Sequence, residues 1–171
     1  MPILPTQRDP RLITVRRGGS LTDEHHRLLA EWALRCAEHV LPLFEAHRPG
    51  DSRPRHAVEV GRAWGRGTAS MTEARLALPA NAVARGLPDA PRFAVLAVGQ
   101  AAAVAHVAAH GLGAAAYAIR AAGAAASPLD AARARVAERE WQRAQLPAEV
   151  REMVLDDQRR RSAICWHVFD D

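Results

Sequence analysis

The chain of 171 residues carries 23 basic residues, all arginine, against 19 acidic ones, a net charge of +4. Such a modest positive charge permits an acidic partner but does not require nucleic acid. The length predicts one domain with a sizeable core. An apolar fraction dominated by alanine and poor in aromatic residues favours closely packed helices over a sheet. The absence of lysine is typical of a GC-rich, bacterial coding sequence.

The first residues and the cysteines both indicate a cytoplasmic protein. No charged segment followed by an apolar leader opens the chain, so we expect no secretion signal and no membrane association. Cys36 and Cys165 lie far apart and form no CxxC motif. This spacing predicts two free thiols in a reducing compartment.

The chain divides at its first pair of glycines. Residues 1–19 contain three prolines and two glycines, which predicts an extended arm that is partly disordered at its start. Within the arm, residues 12–15 are the one β-like run and could form a short edge strand. Residues 20–171 are predicted to form a single all-helical domain.

Capping residues and prolines mark the first helices. One helix is predicted to open at Thr22, with two acids in its first turn, and to be broken near its end by Pro42. Pro54 predicts the first turn of the next helix, which ends at the glycines of residues 65–67. Ser70 and Glu73 form a capping-box pattern that starts a third helix, which is interrupted after residue 78 by proline.

The most apolar stretch of the chain predicts the centre of the fold. Residues 91–110 are apolar on nearly every side, which indicates a buried, alanine-rich central helix. About six or seven helices should pack around it as a compact bundle. Residues 111–113 predict a tight corner into a second alanine-rich helix, packed antiparallel to the first.

The C-terminal part of the chain predicts two further helices. An apolar stripe predicts the inward face of the first one. The stripe consists of Leu129, Ala132, Val136, Ala137, Trp141 and Ala144. The second helix is predicted over residues 148–161, and the apolar tail after it is expected to dock on the bundle.

His106 and His110 are the weak candidates for a metal or ligand site. They lie four residues apart, a spacing that places two imidazoles on one helix face, as metal sites require. No HExxH motif or nearby third ligand accompanies them. Three interpretations remain open: hydrogen-bonded structural histidines, a polar pocket, or part of a metal site. The adjacent pair His25 and His26, at a helix start, is expected to be solvated.

Charged residues crowd the start of the helix that follows Pro49-Gly50. They could form a patch for a partner or ligand, or a network that fixes the start of the helix. In either case we expect Glu59 to pair with Arg55 or Arg62, because these residues lie four and three positions away on a helix. Arg139 lies two positions before Trp141, in a segment that likewise combines charged residues with an aromatic one. The candidate residues are Asp51, Arg53, Arg55, Glu59, Arg62 and Arg139.

No motif predicts a reaction. The sequence holds no nucleophile arrangement, P-loop or Rossmann glycine pattern, and no cofactor is expected. The basic clusters at residues 16–17 and 159–161 lack the interleaved aromatic residues that stack on single-stranded bases, so nucleic-acid binding is not favoured.

Five stretches together resemble the immunity proteins of bacterial polymorphic toxin systems, a small all-helical family. The order of the segments matches over nearly the whole chain. The stretches are Ile13–Gly19 with Leu21–Asp23, Trp32–Ala33 with Cys36–Glu45, Asp51 with Arg53–Arg55, Ala57, Glu59 and Arg62–Trp64, Ala105–Ala108 with His110, and Glu138–Arg139 with Trp141–Gln142 and Leu146–Pro147.

The resemblance implies a protein that binds a cognate toxin domain and blocks it without catalysis, in the manner of an immunity component of a toxin–antitoxin pair. It carries over no catalytic residue. The alternative is a small-ligand or metal-dependent enzyme with a pocket around His106 and His110. The oligomeric state and the identity of a toxin are not predicted.

Overall fold

The computed structural model describes residues 3–171 and is all-α, as predicted. Six helices of 13 to 18 residues and three of 4 to 6 residues make up this part of the chain. Its one β-type contact is an isolated bridge between Thr14 and Leu21. The helices are α1 Asp23–Val40, α2 Pro42–His47, α3 Arg53–Gly65, α4 Met71–Leu76, α5 Ala80–Val83, α6 Asp89–Ala103, α7 His110–Ala125, α8 Ala131–Ala144 and α9 Ala148–Arg161.

Local signals place the first helix boundaries where the sequence predicts them. The Thr22 side chain accepts a hydrogen bond from the backbone N–H of His25, which caps α1. Pro42 begins α2 immediately after α1 ends, because proline is tolerated in a first turn but not within a helix. Both hydrogen bonds of the capping box between Ser70 and Glu73 are present at the start of α4.

The centre of the core is a pair of helices, α6 and α7. The ring centroids of Phe93 and Tyr117 lie 6.1 Å apart, and Gln100 contacts His110, so the two helices run antiparallel. Ten residues of α7 are buried, five of them alanine. Small side chains let helix axes approach closely, which accounts for a dense core with few aromatic residues.

The predicted central helix is shorter than its apolar sequence suggested. Helix α6 ends at Ala103, residues 104–109 form a turn, and α7 begins at His110, so the predicted tight corner at residues 111–113 is wrong. The reason is tertiary. The carbonyl of Val104 accepts a hydrogen bond from His26 Nε2 at 2.7 Å, and that of Ala109 accepts one from Arg161 at 2.9 Å. These distant side chains satisfy carbonyl groups that leave the helical pattern.

The inward face of α8 also differs from the predicted one. Leu129 is 97% exposed and Val136 is 47% exposed, although both belong to the apolar stripe. The buried residues of α8 are instead Glu138, Arg139 and Gln142. These polar side chains find partners on other elements, so the helix rotates its charged side inward; the partners are described below.

Both ends of the described chain pack on the helices. Residues 3–19, for which we predicted an extended arm, contain two 3-10 turns, and Ile3 and Leu12 are buried in the core. Residues 1–2 lie outside the described residues, and the domain division at residue 19 stays a prediction. The tail docks as predicted, with Phe169 buried. Within residues 3–171, no helix combines the length and apolar character needed to cross a bilayer.

Candidate functional site

Charged and aromatic side chains from α1, α2, α3 and α8 meet on one side of the molecule. We call this surface the polar face. Its residues are separated by up to about a hundred positions in the chain, and the packing of α1 against α3 and α8 brings them together. The polar face consists of Glu31, Arg35, Glu38, His39, Glu45, Arg55, Arg62, Glu138 and Trp141.

Glu38 is the centre of the ion pairs on this face. Its carboxylate accepts hydrogen bonds from Arg62 at 2.7 and 3.2 Å and from Arg55 at 2.8 Å. Arg55 also binds both carboxylate oxygens of Glu45, and Arg62 lies 3.6 Å from Glu31. The Arg62 guanidinium in particular lowers the pKa of Glu38, so the carboxylate stays charged. The pairs hold α1, α2 and α3 in a fixed arrangement.

A second group of polar contacts anchors α8 to α1. The buried Glu138 accepts a hydrogen bond from Gln142 at 2.9 Å, and its other oxygen lies 2.7 Å from His39 Nδ1. The Gln142 side chain also donates to the backbone carbonyl of Ala115 in α7. The backbone carbonyl of Gln142 accepts a hydrogen bond from the Trp32 indole at 2.9 Å. A buried carboxylate needs such partners, because an unpaired one would be very costly.

His39 and Trp141 form the aromatic part of the polar face. Their rings stack nearly parallel, with centroids 3.7 Å apart and planes 8° apart. Glu138 fixes the imidazole from one side while 43% of the His39 side chain stays exposed. The result is a rigid surface on which charges and an aromatic stack have little freedom to move, which lowers the entropy cost of binding a partner.

The pair of Glu138 and His39 has the geometry that orients a general base in hydrolases, but such a base also needs a nucleophile. The nearby thiol, Cys36, is buried. Burial, with a smaller contribution from Glu138, raises the pKa of Cys36 well above its ordinary value, so the thiol stays protonated. Cys36 therefore does not serve as an ionised nucleophile beside His39.

The structure separates the residues that the sequence grouped around the start of α3. Arg55 and Arg62 belong to the polar face, but Glu59 does not pair with either, so that prediction is wrong. The Glu59 side chain is 68% exposed, and its carboxylate lies 3.8 Å from His56 Nδ1. Asp51 pairs with Arg53 at 2.6 Å and accepts its backbone N–H, which fixes the chain before α3.

Arg139 lies beside the polar face but does not form part of its surface. Its side chain is 9% exposed. It donates to the carbonyl of Asp170 and contacts Asp171 at 3.5 Å, so it holds the C-terminal tail on α8. Its position indicates a structural contact.

Of the two candidate histidines, His106 lies within the 104–109 turn and His110 is the first residue of α7. Nδ1 of His110 donates to Gln100 Oε1 at 2.8 Å, and burial lowers its pKa to about 4. His106 faces a different cavity, described below. Among residues 3–171, no three His, Cys, Asp or Glu side chains gather closely enough to hold a metal ion.

Sequence reasoning missed several residues of the site. Glu38, His39 and Glu138 occur in the resembling stretches, but no spacing along the chain links them. His26, expected to be solvated, is instead buried with its ring edge against Trp64 at 5.0 Å. The buried polar side of α8 appears in the sequence only as charged residues at three- and four-residue intervals. Such a pattern usually marks the side of a helix that faces solvent.

The fold and the polar face define a class of protein: an all-helical protein with a rigid, charged surface. A family model described as "Imm-5 like putative immunity protein" matches residues 19–149. The chain belongs to this family. No curated protein and no solved structure matches it.

Proposed function

We propose that the protein neutralises a bacterial toxin domain by binding it with the polar face, without catalysis. The observation that carries the proposal is the meeting of three resembling stretches on one surface. Glu38 and His39 belong to the stretch that ends at Glu45, Arg55 and Arg62 to the one that begins at Asp51, and Trp141 to the one that begins at Glu138. If these residues served only to stabilise their own helices, they would not need to lie on the same face of the molecule.

The chemistry of the polar face suits a protein partner. Tyr, Trp and Arg are enriched at the energetic centres of interfaces, and the polar face holds Trp141, stacked on His39, together with the paired arginines Arg55 and Arg62. Because the ion pairs are already formed, a partner meets charges in fixed positions and pays little to order them. Mixed charge of this kind supports specificity and a fast encounter more than affinity. We further propose that binding takes place in the cytoplasm.

The proposal is tested by co-expression with the toxin-like product of the neighbouring gene. Arg35→Glu reverses a charge on the polar face at an exposed position with only long contacts, at 3.4 Å, so the fold should be kept. Arg133→Glu is the matched control, since Arg133 is 83% exposed at the start of α8, away from this face. Arg139 is unsuitable for such a reversal, because it is buried.

We expect Arg35→Glu to weaken protection and to reduce toxin capture by about tenfold or more, as loss of a good interface contact does. Arg133→Glu should protect like the wild type. Equal protection by both variants, with capture unchanged, would contradict the polar face as the interface.

The absence of catalysis is tested by stoichiometry. A protein that acts by binding must be present in at least equal molar amount to the toxin, so purified toxin activity should fall linearly to zero near a 1:1 ratio. Full inactivation by a small fraction of an equivalent would instead indicate an enzyme that modifies or degrades the toxin.

A further inference from the structure

A cleft of about 380 Å³ lies on a part of the molecule that shares no residue with the polar face. It is enclosed by the N-terminal segment, the start of α1, the chain between α3 and α4, and the 104–109 turn. We call it the basic cleft. Four arginines line it, Arg8, Arg16, Arg17 and Arg27, against a single carboxylate, Asp23.

The charges of the basic cleft are not balanced. Asp23 pairs with Arg16 at 2.6 Å and so is already neutralised. Within residues 3–171, Arg8, Arg17 and Arg27 form no ion pair with any carboxylate. Guanidinium groups stay charged at any accessible pH and present a fork of donors that matches phosphate and carboxylate oxygens. Three such groups around one cavity create a positive potential that attracts an anion.

His106 provides a further donor or acceptor at the wall of the cleft. It is half-buried, and its Nδ1 is shielded from solvent without a hydrogen-bond partner in the described part of the chain. Nδ1 is therefore closed to a ligand, and the contact that His106 offers to the cleft is its other ring nitrogen, Nε2, which is not shielded in this way. Burial, and then the charges of Arg17, Arg75 and Arg8, lower the pKa of His106 and keep the ring neutral.

Most of the remaining wall is apolar, with Thr14 and His26 as its other polar residues. Leu12, Trp64 and Val107 line the cleft beside the charged groups. The volume falls within the range of about 300–1,000 Å³ that is usual for small-molecule sites. The cavity therefore combines a cationic end with an apolar surface, and a fitting ligand has an anionic group joined to an apolar or aromatic body.

We propose that the basic cleft binds a small organic phosphate, with the phosphate at Arg8, Arg17, Arg27 and His106 and its apolar part against Trp64 and Val107. A phosphate carries close to two negative charges and three strong acceptor oxygens, so it can use several guanidinium groups at once. A single carboxylate has fewer acceptors and half the charge. This site does not depend on the proposed function, because none of its residues belongs to the polar face.

The test is calorimetric titration of the full chain with phenyl phosphate, inorganic phosphate and benzoate at constant ionic strength. Phenyl phosphate should bind at one site, more tightly than inorganic phosphate, which lacks the apolar part, and more tightly than benzoate, which lacks the second charge. Arg17→Gln should weaken phenyl phosphate binding by about tenfold, the loss expected for one charge-assisted contact of about 1.4 kcal/mol. Arg48→Gln, at an exposed arginine outside the cleft, is the matched control and should bind like the wild type.

Three results would overturn the proposal: no binding of phenyl phosphate by the folded wild-type chain, equal binding of benzoate, or equal weakening by Arg17→Gln and Arg48→Gln. The last would indicate a general effect of net charge. As a second measurement, the imidazole ¹⁵N signals of His106 should shift when phenyl phosphate is added. If those signals stay unchanged while binding occurs, the ligand lies elsewhere and the cleft is not the site.

Discussion

At the scale of single residues, the buried His26 and the half-buried His110 stabilise the turn between α6 and α7. His26 donates to the carbonyl of Val104, and His110 donates to the side chain of Gln100. Burial lowers the pKa of both rings, so each is neutral in the folded protein. Neither can take up a proton without disturbing its surroundings, which links the stability of the fold to pH.

The pH dependence follows from the pKa of His110, which is about 4 in the folded protein. In the unfolded chain a histidine titrates near its ordinary value of about 6.5. Between these values the unfolded state binds a proton that the folded state does not, so the free energy of unfolding should fall as the pH falls from about 6.5 towards 4. Above about pH 6.5 this penalty is absent.

Urea unfolding at a series of pH values across this window checks the prediction. His110→Gln removes the titrating ring and should make the decline with falling pH shallower. His47→Gln, at an exposed position, should keep the wild-type slope. Parallel curves for the wild type and His110→Gln would show that this histidine does not carry the effect.

At the scale of helices, the ion pairs around Glu38 connect α1 to α3, while Glu59 on α3 contributes nothing comparable. Glu38 accepts three hydrogen bonds from two arginines, whereas the contact of Glu59 with His56 is 3.8 Å long and exposed. Two glutamates on neighbouring helices therefore differ in importance because of their surroundings and not because of their chemistry.

Glu38→Gln should lower the free energy of unfolding by about 1–2 kcal/mol, since it weakens charge-assisted hydrogen bonds that solvent partly screens. Glu59→Gln should change it by less than about 0.5 kcal/mol, the usual range for an exposed site. Both values come from urea midpoints measured side by side. Equal effects of the two variants would contradict the assigned network.

At the scale of the whole molecule, stability depends on a continuous core in which α6 contacts α1, α3 and α7. Ala101, near the end of α6, is 2% exposed, so a charge placed at this position could not reach water. The net stability of a domain is only about 5–15 kcal/mol, so one buried unpaired charge can exhaust it.

Ala101→Asp should therefore leave the protein unfolded or aggregated at room temperature, as measured by circular dichroism and solubility. Ala132→Asp makes the same change on the exposed side of α8 and should fold like the wild type. A soluble Ala101→Asp variant with an unchanged melting temperature would contradict the central position of α6.

Several features follow from the sequence by itself, because their causes are local. The cap at Thr22, the break at Pro42 and the capping box at Ser70 depend on neighbours within four residues, and each lies where predicted. The helical fold follows from an apolar composition that is dominated by alanine and poor in aromatic residues. The resembling stretches indicated the family over most of the chain.

Tertiary structure alone decided the rest. The apolar run after Ala103 has no proline or glycine before His110, so no local signal marks the turn. The turn depends instead on His26 in α1 and Arg161 in α9, which donate hydrogen bonds to its carbonyls. The stripe of α8 predicted the wrong face, because Glu138 and Gln142 bury polar groups whose partners lie on α1 and α7. The polar face likewise depends on contacts between residues as far apart as His39 and Glu138, which no spacing along the chain can reveal.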